Sequence, residues 1–424
     1  MKILLISKYF KTGGAAISSA RLFEALKMNG VDVKMLVQEE HNEKEGVYAT
    51  TGGMVKRWIN LGRFIIERLT FLRHESSKTV RFLFSPANAG ENLIRNRHVK
   101  EADIIHLHWI NAAFLSVRSL KKLFNSGKPV VWTFHDMWAF TGGCHYALEC
   151  DHYTRECGQC PYLKKPGKGD LSHRIWKRKE KLFRDNKVTV ITPSKWLNEC
   201  ASSSSLLRHC EFHTIRYSMD QTLFKPAERE MACRNLGLDP EKKYILFGAA
   251  AVRSMLKGFD FFLEAIRILH KALDPEAGVE ILLFGKTSGD EDRLFPMNTR
   301  NISYINSPET IAELYSAAHL FVIPSLQDNF PNTILESMLC GTPVVGFRSG
   351  GIPEMIDHKV TGYLAEHKSS TDLAEGMKWV LFTDAYESMS AEARSSAVRR
   401  YSRKQAAEKH VALYKELLNR SRES

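Results

Sequence analysis

The sequence predicts an α/β protein with two doubly wound parallel sheets. Short apolar runs, each followed by a turn and then by a helical pattern, recur along the chain, which is typical of parallel strands buried on both faces. This alternation begins at Lys2, restarts at about Tyr244 and is clearest between Leu320 and Phe347. With 424 residues, of which 44% are hydrophobic, the chain can bury two ordinary cores.

The composition is that of a basic, folded protein. Lysine and arginine outnumber the acidic residues by 60 to 48, which gives a formal charge of +12. Such a balance favours a polyanionic partner: nucleic acid, anionic lipid headgroups or a phosphorylated substrate. The N-terminal apolar run is too short for a signal peptide, and no run approaches the length of a membrane span. We therefore expect a cytoplasmic protein whose eight cysteines are not presumptively disulfide-bonded.

The first strand–loop–helix unit contains a glycine-rich turn. A buried strand is predicted over 2–7, a helix from about Ser18 to Asn29, and a second strand over 31–37. Gly13 and Gly14 lie in the turn, which lacks the G-x-G-x-x-G dinucleotide pattern. Small glycine-rich turns often serve only close packing, so the motif is weak.

Residues 54–73 form a predicted amphipathic helix. Its apolar positions share one helical stripe: Val55, Trp58, Ile59, Ile65, Ile66, Leu69 and Leu72. One interpretation packs this stripe on the N-terminal domain. The other places the helix on anionic lipid, since the remaining face is basic and carries Phe64 and Phe71.

Two predicted strands, 103–109 and 129–136, each end near a histidine. A lone histidine at a strand end is more often structural than catalytic. His108 and His135 both lie at the carboxyl ends of their strands, on the ligand side of a parallel sheet. This position favours a functional role for the two histidines.

A cysteine-rich insertion follows at 144–160. Cys157 and Cys160 have the C-x-x-C spacing of a zinc knuckle, whereas Cys144 and Cys150 are spaced more loosely. The alternatives are a structural zinc with four thiolate ligands, disulfides or free thiols. The segment is polar and rich in turns, so a metal would help to order it. The basic stretch 164–187 comes next.

The clearest strand–loop–helix unit begins at Leu320. Its apolar run ends at Pro324, a polar loop follows, and a helix is predicted from about Asn332 to Gly341. In doubly wound sheets, ligands bind beyond the carboxyl ends of the strands, where helix N-termini attract anions. The unit therefore predicts a phosphate-binding site.

A second such unit follows directly. Its strand covers 343–347, and Gly350 and Gly351 turn the chain into a further predicted helix. Glu336, in the preceding helix, has two interpretations. It either complements the helix dipole or accepts hydrogen bonds from the two hydroxyls of a nucleotide ribose. Residue type alone does not choose between them.

The run from Glu336 (Glu-Ser-Met-Leu-Cys-Gly-Thr-Pro-Val-Val), followed by Gly350-Gly351-x-x-Glu354, closely resembles the nucleotide-sugar signature of retaining glycosyltransferases of family four. The resemblance implies the GT-B fold, with two Rossmann-like doubly wound domains facing a cleft. Residues 1–216 would bind the acceptor and 217–403 the nucleotide sugar. The last segment, 404–424, would be a helix that crosses back to the first domain.

The resemblance also implies roles for particular residues. Lys257, in a Lys-Gly pair, matches the diphosphate lysine, and Arg253 lies one position later than the family's arginine. Asp328 occupies the position of the first of two acids and would contact the donor hexose, although the family usually has the longer Glu there. Glu336, the second acid, would bind the ribose.

Further residues join the expected site by the same resemblance. His135, in Thr-x-His-Asp, matches a histidine near the reacting sugar, and it is preferred to His108. The glycine loop would approach the phosphates or the acceptor. The nucleotide-sugar site is then completed by these residues: Gly13, Gly14, Asn329, Phe330, Gly350, Gly351 and Glu354.

The order of tryptophan, histidine and cysteine residues around the insertion resembles a subgroup of bacterial exopolysaccharide enzymes. This implies transfer of a hexose from a nucleoside diphosphate sugar to a glycan or polyprenyl-linked glycan, with retention of configuration. No cofactor or catalytic metal is expected, and zinc would be structural only. The enzyme would lie in the cytoplasm or on the anionic inner face of the plasma membrane.

Two other classes of function remain open. One is an epimerase or hydrolase of nucleotide sugars with the same fold. The other is a basic nucleic-acid-binding protein, which would show steep salt dependence. The sequence has no recognition-helix, RNP or zinc-finger pattern, so no nucleic-acid partner is expected.

Overall fold

The computed structural model describes residues 1–39, 44–286, 289–302, 305 and 307–423, and the chain divides into two compact units. Unit 1 contains Met1–Ser218 and the C-terminal helix that begins at Arg403, and unit 2 contains Met219–Ser402. The boundary expected from the sequence lies between residues 216 and 217. Each unit has a parallel sheet flanked by helices, so the predicted fold class is confirmed.

Unit 1 is built on a parallel sheet with the strand order β3-β2-β1-β4-β5-β6-β7. The strands in its described residues are β1 (Lys2–Ile6), β2 (Asp32–Val37), β3 (Val47–Ala49), β4 (Ile104–Leu107), β5 (Val130–Thr133), β6 (Thr189–Thr192) and β7 (Glu211–Thr214). The helices are α1 (Gly14–Met28), α2 (Met54–Leu72), α3 (Arg97–Glu101), α4 (Val117–Phe124), α5 (Leu171–Arg184) and α6 (Lys195–Ser202).

Unit 2 has a parallel sheet with the strand order β10-β9-β8-β11-β12-β13. Its strands are β8 (Lys243–Ala251), β9 (Val279–Lys286), β10 (Thr299–Asn301), β11 (Leu320–Ile323), β12 (Val344–Phe347) and β13 (Gly362–Ala365). Its helices are α7 (Arg229–Asn235), α8 (Phe259–Ala272), α9 (Pro308–Ala317), α10 (Asn332–Leu339), α11 (Ser370–Phe382) and α12 (Tyr386–Arg400).

The last helix, α13 (Arg403–Glu423), packs against unit 1. Its Ala407, Leu413 and Tyr414 are buried in one cluster with Ile3 and Phe23. The Tyr414 hydroxyl lies 2.6 Å from Nδ1 of His106 in β4. A helix from the end of the chain therefore completes one face of the first sheet. No helix within the described ranges is long and apolar enough to cross a membrane.

Two predicted helices differ from the structure at their ends. Helix α1 begins at Gly14 rather than near Ser18, because Gly13 has φ = 89° and ends the loop immediately before it. Gly351 does not open a helix of several turns. It is followed by a single 3₁₀ turn, Ile352–Glu354. Only seven residues then separate that turn from β13, so the chain turns back at once.

Helix α2 has nearly the predicted bounds, but its apolar stripe does not pack on unit 1. The apolar stripe faces solvent: Trp58 is 67% exposed and Ile66 is 55% exposed. The buried positions are Asn60, Glu67 and Phe71. The surface beneath the helix is polar there, because the Glu67 carboxylate accepts a hydrogen bond from the backbone N–H of Ala113 at 3.0 Å. The prediction that the stripe packs on the domain is therefore wrong.

Candidate functional site

The candidate site of unit 2 lies where the direction of strand order reverses. Strands β9 and β10 extend from β8 to one side, whereas β11, β12 and β13 extend to the other. All neighbouring strands are parallel, so the loops after β8, β11 and β12 emerge at the same edge. This switch point is where open α/β sheets bind their ligands.

Lys257 and Asp328 meet at that edge. Lys257 Nζ lies 2.6 Å from Asp328 Oδ2, and the lysine side chain is 34% exposed against 10% for the aspartate. Lys257 ends a 3₁₀ turn after β8, and Asp328 lies in the loop after β11. The structure thus brings two of the sequence-predicted residues together, 71 positions apart in the chain.

The glycine after Lys257 is required by a close approach of two loops. Gly258 has φ = 67°, and a Cβ atom there would lie 1.9 Å from the carbonyl oxygen of Pro324. The backbone N–H of Leu326 also donates to the carbonyl of Leu256 at 2.9 Å. The loop after β8 is therefore held directly against the loop after β11.

Gly350 and Gly351 hold the third loop against Asp328. A Cβ at Gly350, where φ is 57°, would lie 2.0 Å from the carbonyl oxygen of Asp328. Gly351 donates its backbone N–H to the same oxygen at 3.0 Å, and the Ser349 hydroxyl donates to Leu326 at 2.6 Å. These glycines position the backbone that carries the acid.

Glu336 is buried in α10, where it is 8% exposed. It is the fifth residue of the helix, beyond the first turn, so the simple helix-dipole interpretation does not account for it. Burial raises the pKa of the Cys340 thiol to about 12, and the neighbouring Glu336 charge adds to this effect. Asn329 and Phe330, in the loop before α10, are also buried, and Phe330 packs edge-on against Tyr401.

Arg253 does not join the Lys257 pair. Its Nε donates to Glu291 at 3.1 Å, and a second guanidinium nitrogen lies 3.2 Å from Asp290. The guanidinium also lies 5.8 Å from the ring centre of Phe259. Contact with a diphosphate would require Arg253 to leave these acids. Its expected role stays a prediction. Glu354 ends the 3₁₀ turn and is half-buried.

His135 of unit 1 lies in a network of polar rings in which His108 is buried and His135 and Tyr217 are half-buried. Its Nε2 is 3.1 Å from His108 Nδ1, and its Nδ1 is 2.7 Å from the Tyr217 hydroxyl. Burial lowers the pKa of His135 to about 4, against the opposing effect of Asp136. The imidazole is therefore neutral near pH 7, and it interacts by hydrogen bonding rather than as a cation.

One ring nitrogen of His108, Nε2, has no hydrogen-bond partner among the described residues. Its Nε2 is buried, and the ring lines a small cavity of about 20 Å³ together with His135, Tyr217 and His410. Sequence reasoning missed Tyr217 and His410. The only signal was that residues 215–226 resemble the inter-domain linker of family-four enzymes, which usually has an asparagine where this chain has Tyr217.

Asp136 fixes the segment that leads into the cysteine-rich insertion. It accepts hydrogen bonds from Trp109 Nε1 at 3.1 Å and from the Trp138 N–H at 2.8 Å, and it lies 2.8 Å from His145. Burial raises the pKa of Asp136, but the interactions with His145 and the backbone of Trp138 outweigh it, so the net shift is downward. The acid next to His135 is therefore a positioning group.

The glycine-rich loop after β1 has unoccupied space beside Gly13. Gly13 has φ = 89°, and nothing lies within 4 Å of the Cβ that another residue would add. Gly14 begins α1, and its carbonyl accepts a hydrogen bond from the Ser18 hydroxyl. The loop is compatible with a ligand that approaches the backbone closely, and its binding role stays a prediction.

The cysteine quartet does not have the geometry of a metal site in this structure. No group of three or more His, Cys, Asp or Glu side chains within the described residues is arranged to hold a metal ion. Cys144, Cys150, Cys157 and Cys160 are free thiols, and burial raises the pKa of Cys144 to about 11 and of Cys157 to about 12. The structural zinc stays a prediction.

Packing contributes to the order of the insertion. Cys157 belongs to the main core of unit 1, and Cys160 packs in a second cluster with Tyr162 and Leu171. The buried Lys179 ammonium donates hydrogen bonds to the carbonyls of Trp138 and Thr141. Apolar contacts and backbone hydrogen bonds hold the segment.

Two family profiles match successive parts of the chain. Residues 12–203 match the profile described as Glycosyltransferase Family 4, and residues 242–382 match Glycosyl transferases group 1. The chain carries two glycosyltransferase domains. The switch-point loops of unit 2 lie within the second match, and the histidine network lies largely within the first.

The glycosyltransferase has similar proteins of known name and structure. It is 24% identical, over 86% of its length and 81% of the relative, to a D-inositol 3-phosphate glycosyltransferase of Pseudarthrobacter chlorophenolicus. Its structure is similar to sucrose-phosphate synthase of Thermosynechococcus elongatus, with a TM-score of 0.70, 17% identity and 99% coverage of both chains. It is also similar to HepE of Anabaena in complex with UDP-glucose, with a TM-score of 0.61, 16% identity and coverage of 97% and 99%. These likenesses show the GT-B fold.

Proposed function

We propose that this glycosyltransferase moves a hexose from a nucleoside diphosphate sugar to a glycan acceptor and retains the configuration at the anomeric carbon. The observation that carries the proposal is the Lys257–Asp328 pair at the switch point of unit 2, held by loops that also lead to Glu336. The HepE structure with UDP-glucose supports a nucleotide sugar as the donor.

Lys257 would stabilise the departing diphosphate. Negative charge accumulates on the diphosphate as the bond to the sugar breaks, and a fixed cation in a partly sheltered site stabilises that charge strongly. The ammonium group lies against Asp328, and the lysine side chain is still 34% exposed, so a phosphate oxygen can approach it. In this mechanism the lysine supplies the positive charge that the step needs, and we propose that no catalytic metal takes part.

Asp328 and Glu336 would bind the sugar and the ribose of the donor. Carboxylates accept hydrogen bonds from hydroxyl groups, and such charge-assisted bonds are short and directional. The Asp328 backbone is fixed by Gly350 and Gly351, so its side chain starts from a defined position. Asn329 and Phe330 would shape the site between the two acids.

His135 would orient the reacting sugar or the acceptor. Because burial keeps the imidazole neutral, it can donate from one nitrogen and accept at the other. Tyr217 and His108 hold the ring on both sides, which fixes its plane. The glycine loop at Gly13 would lie near the same substrates.

We further propose an acceptor class and a setting. The acceptor would be a glycan or a polyprenyl-linked glycan of a bacterial surface polysaccharide, as the resemblance around the cysteine insertion suggests. A lipid-linked acceptor would bring the enzyme to the anionic inner face of the plasma membrane. The basic charge of the chain supports this setting.

A turnover assay with a panel of UDP- and GDP-hexoses and a polyprenyl-linked acceptor tests the proposal. We expect one donor to react, NMR of the product to show the same anomeric configuration as the donor, and EDTA to leave the rate unchanged. An inverted product, or activity that EDTA removes and Mg²⁺ restores, would contradict the mechanism. Free sugar or an epimerised nucleotide sugar without glycan product would instead favour the hydrolase or epimerase.

A further inference from the structure

Helix α2 presents a large apolar face to solvent. Nine of the eighteen exposed large apolar side chains in the described part of the chain lie on this one helix, so the exposure is concentrated rather than scattered. Single exposed apolar residues are ordinary, but a contiguous patch marks an interaction surface. The nine are Met54, Val55, Trp58, Ile59, Leu61, Ile65, Ile66, Leu69 and Leu72.

The helical positions of these residues make the face continuous. At about 100° per residue, the nine side chains occupy an arc of roughly 160° on the helix surface. Asn60, Glu67 and Phe71 lie on the opposite side and are buried. The helix is 19 residues long, so the face extends over roughly 28 Å.

Contacts on the inner side fix this orientation. The rings of Phe71 and Phe84 stack with their centres 4.5 Å apart. The Glu67 carboxylate accepts from the N–H of Ala113 and forms an ion pair with Arg68 at 2.9 Å. Rotating the helix to bury the apolar stripe would break these contacts and expose Phe71.

Positive charges border the apolar face on both sides. On the same helical projection, the exposed Lys56 and the half-buried Arg63 lie along one border, and the exposed Arg57 lies along the other. The only acidic residue of the helix is Glu67, which is buried on the inner side. An apolar face edged by cations without exposed acids is typical of helices that lie in an anionic lipid interface.

The basic region continues beside the end of the helix. The N–H of Lys164 donates to the carbonyl of His74 at 2.7 Å, and the N–H of Ser76 donates to Tyr162 at 3.0 Å. These bonds hold the loop after the cysteine-rich insertion next to α2. That loop exposes three further cations: Lys164, Lys165 and Lys168.

We propose that α2 lies in the interface of an anionic lipid bilayer, with its apolar face among the acyl chains and its bordering cations at the lipid phosphates. Dimerisation through this face is less favourable, because pairing the α2 helices of two chains would bring their cationic borders together. The proposal goes beyond glycosyl transfer and does not rest on the donor site, so nucleotide binding can be measured separately.

Sedimentation with vesicles tests the proposal on the full chain. We expect wild-type protein to bind vesicles of phosphatidylcholine and phosphatidylglycerol at least roughly tenfold more tightly than phosphatidylcholine alone. The double variants Trp58→Ser/Ile66→Ser and Lys56→Gln/Arg57→Gln should each lose most of this binding. Matched variants of exposed residues elsewhere, Met231→Ser/Val360→Ser and Lys271→Gln/Lys409→Gln, should bind as wild type does.

Fluorescence gives an independent measure of insertion. All seven tryptophans lie in the described part of the chain, and Trp58 alone among them is exposed. Brominated acyl chains should quench part of the wild-type emission, and Trp58→Phe should remove that quenching. Nucleotide affinity should be unchanged in every α2 variant, which separates this test from that of the donor site.

Three results would overturn the assignment. Equal binding of wild type and both α2 variants to anionic vesicles would exclude this helix as the contact. Quenching that persists in Trp58→Phe would place the lipid contact elsewhere. A concentration-dependent dimer that Trp58→Ser/Ile66→Ser abolishes, without vesicle binding by wild type, would assign the face to a second copy of the chain.

Discussion

At the scale of single residues, the proposed mechanism requires a lysine to change its partner during the reaction. Lys257 Nζ donates a hydrogen bond to Asp328 Oδ2 at 2.6 Å. A diphosphate entering the site would compete for the ammonium group and leave Asp328 to accept from sugar hydroxyls. The same pair would then serve the leaving group and the donor sugar.

We expect Lys257→Ala to lower turnover more than donor affinity. The charge matters most as the diphosphate departs, so kcat should fall by roughly a hundredfold while the Kd of the donor changes by less than roughly tenfold. Steady-state kinetics and calorimetry of the same preparation measure both. Lys271→Ala, an exposed lysine at the end of α8, should leave both unchanged. Equal losses in affinity and turnover would contradict the role.

The buried histidines of unit 1 should make the protein sensitive to acid. Burial lowers the pKa of His410 from 6.5 to about 4, so the unfolded chain takes up this proton first as the pH falls. The stabilising contribution is therefore complete above about pH 6.5 and is lost between that pH and about 4.

Replacing His410 should reduce that sensitivity. The loss of unfolding free energy between about pH 7 and about pH 5 should be about 2 kcal/mol smaller in His410→Gln than in wild type. Urea titration at the two pH values gives the comparison. His209→Gln, an exposed histidine of the same unit, is the control and should lose as much as wild type. The same loss in His410→Gln would show that this histidine is not the titrating group.

At the scale of elements, the sequence located the ends of α10 but not the face that α2 buries. Helix α10 begins at Asn332 and ends just before Gly341, as predicted, because a proline precedes it and a glycine in the left-handed conformation follows it. The periodicity of α2 correctly grouped its apolar side chains. It could not show which side faces the protein, since that depends on Glu67 and Phe71 contacts from distant segments.

Loop contacts are another property that local sequence does not reveal. The pattern Gly350-Gly351 predicted a turn near a ligand, and the structure shows the reason for the first glycine: the carbonyl oxygen of Asp328 occupies the space of a side chain. The sequence also did not show which side chains Arg253 contacts. Its ion pairs with Asp290 and Glu291 come from a loop 37 or more residues away.

We expect Gly350→Ala to weaken donor binding. The added Cβ would meet the Asp328 carbonyl at 2.0 Å, so the backbone that carries the acid must shift. Gly127→Ala is a matched control, because Gly127 also has positive φ, at 75°, but nothing lies within 4 Å of its Cβ. Both variants should lose about 1 kcal/mol of stability through backbone strain. Only Gly350→Ala should lose nucleotide affinity, and equal affinities in calorimetry would contradict the packing argument.

At the scale of the whole molecule, the sequence predicted two parallel α/β units because the apolar runs restart after the linker. The return of α13 to unit 1 was expected only through the family resemblance, and its basis is the packing of Leu413 and Tyr414 on the first sheet. The histidine network could not be predicted fully, because Tyr217 and His410 reach it from segments remote in sequence. The cysteine spacing suggested zinc, which stays a prediction, and the burial of Cys157 and Cys160 in two apolar clusters could not be predicted from that spacing.

The nucleotide affinity of Glu336→Gln tests whether Glu336 binds the ribose of the donor. The substitution keeps the size of the side chain but turns one acceptor end into a donor, and it removes a charge-assisted hydrogen bond worth about 1.5–3 kcal/mol. Calorimetry with the preferred nucleotide should therefore show a Kd that is roughly ten- to hundredfold higher. The circular dichroism spectrum should be unchanged, since the fold is retained. Glu354→Gln should show a milder loss, and Glu375→Gln, an exposed acid of α11, should show none. If Glu336→Gln binds the nucleotide as tightly as wild type, the donor site assigned to unit 2 is wrong.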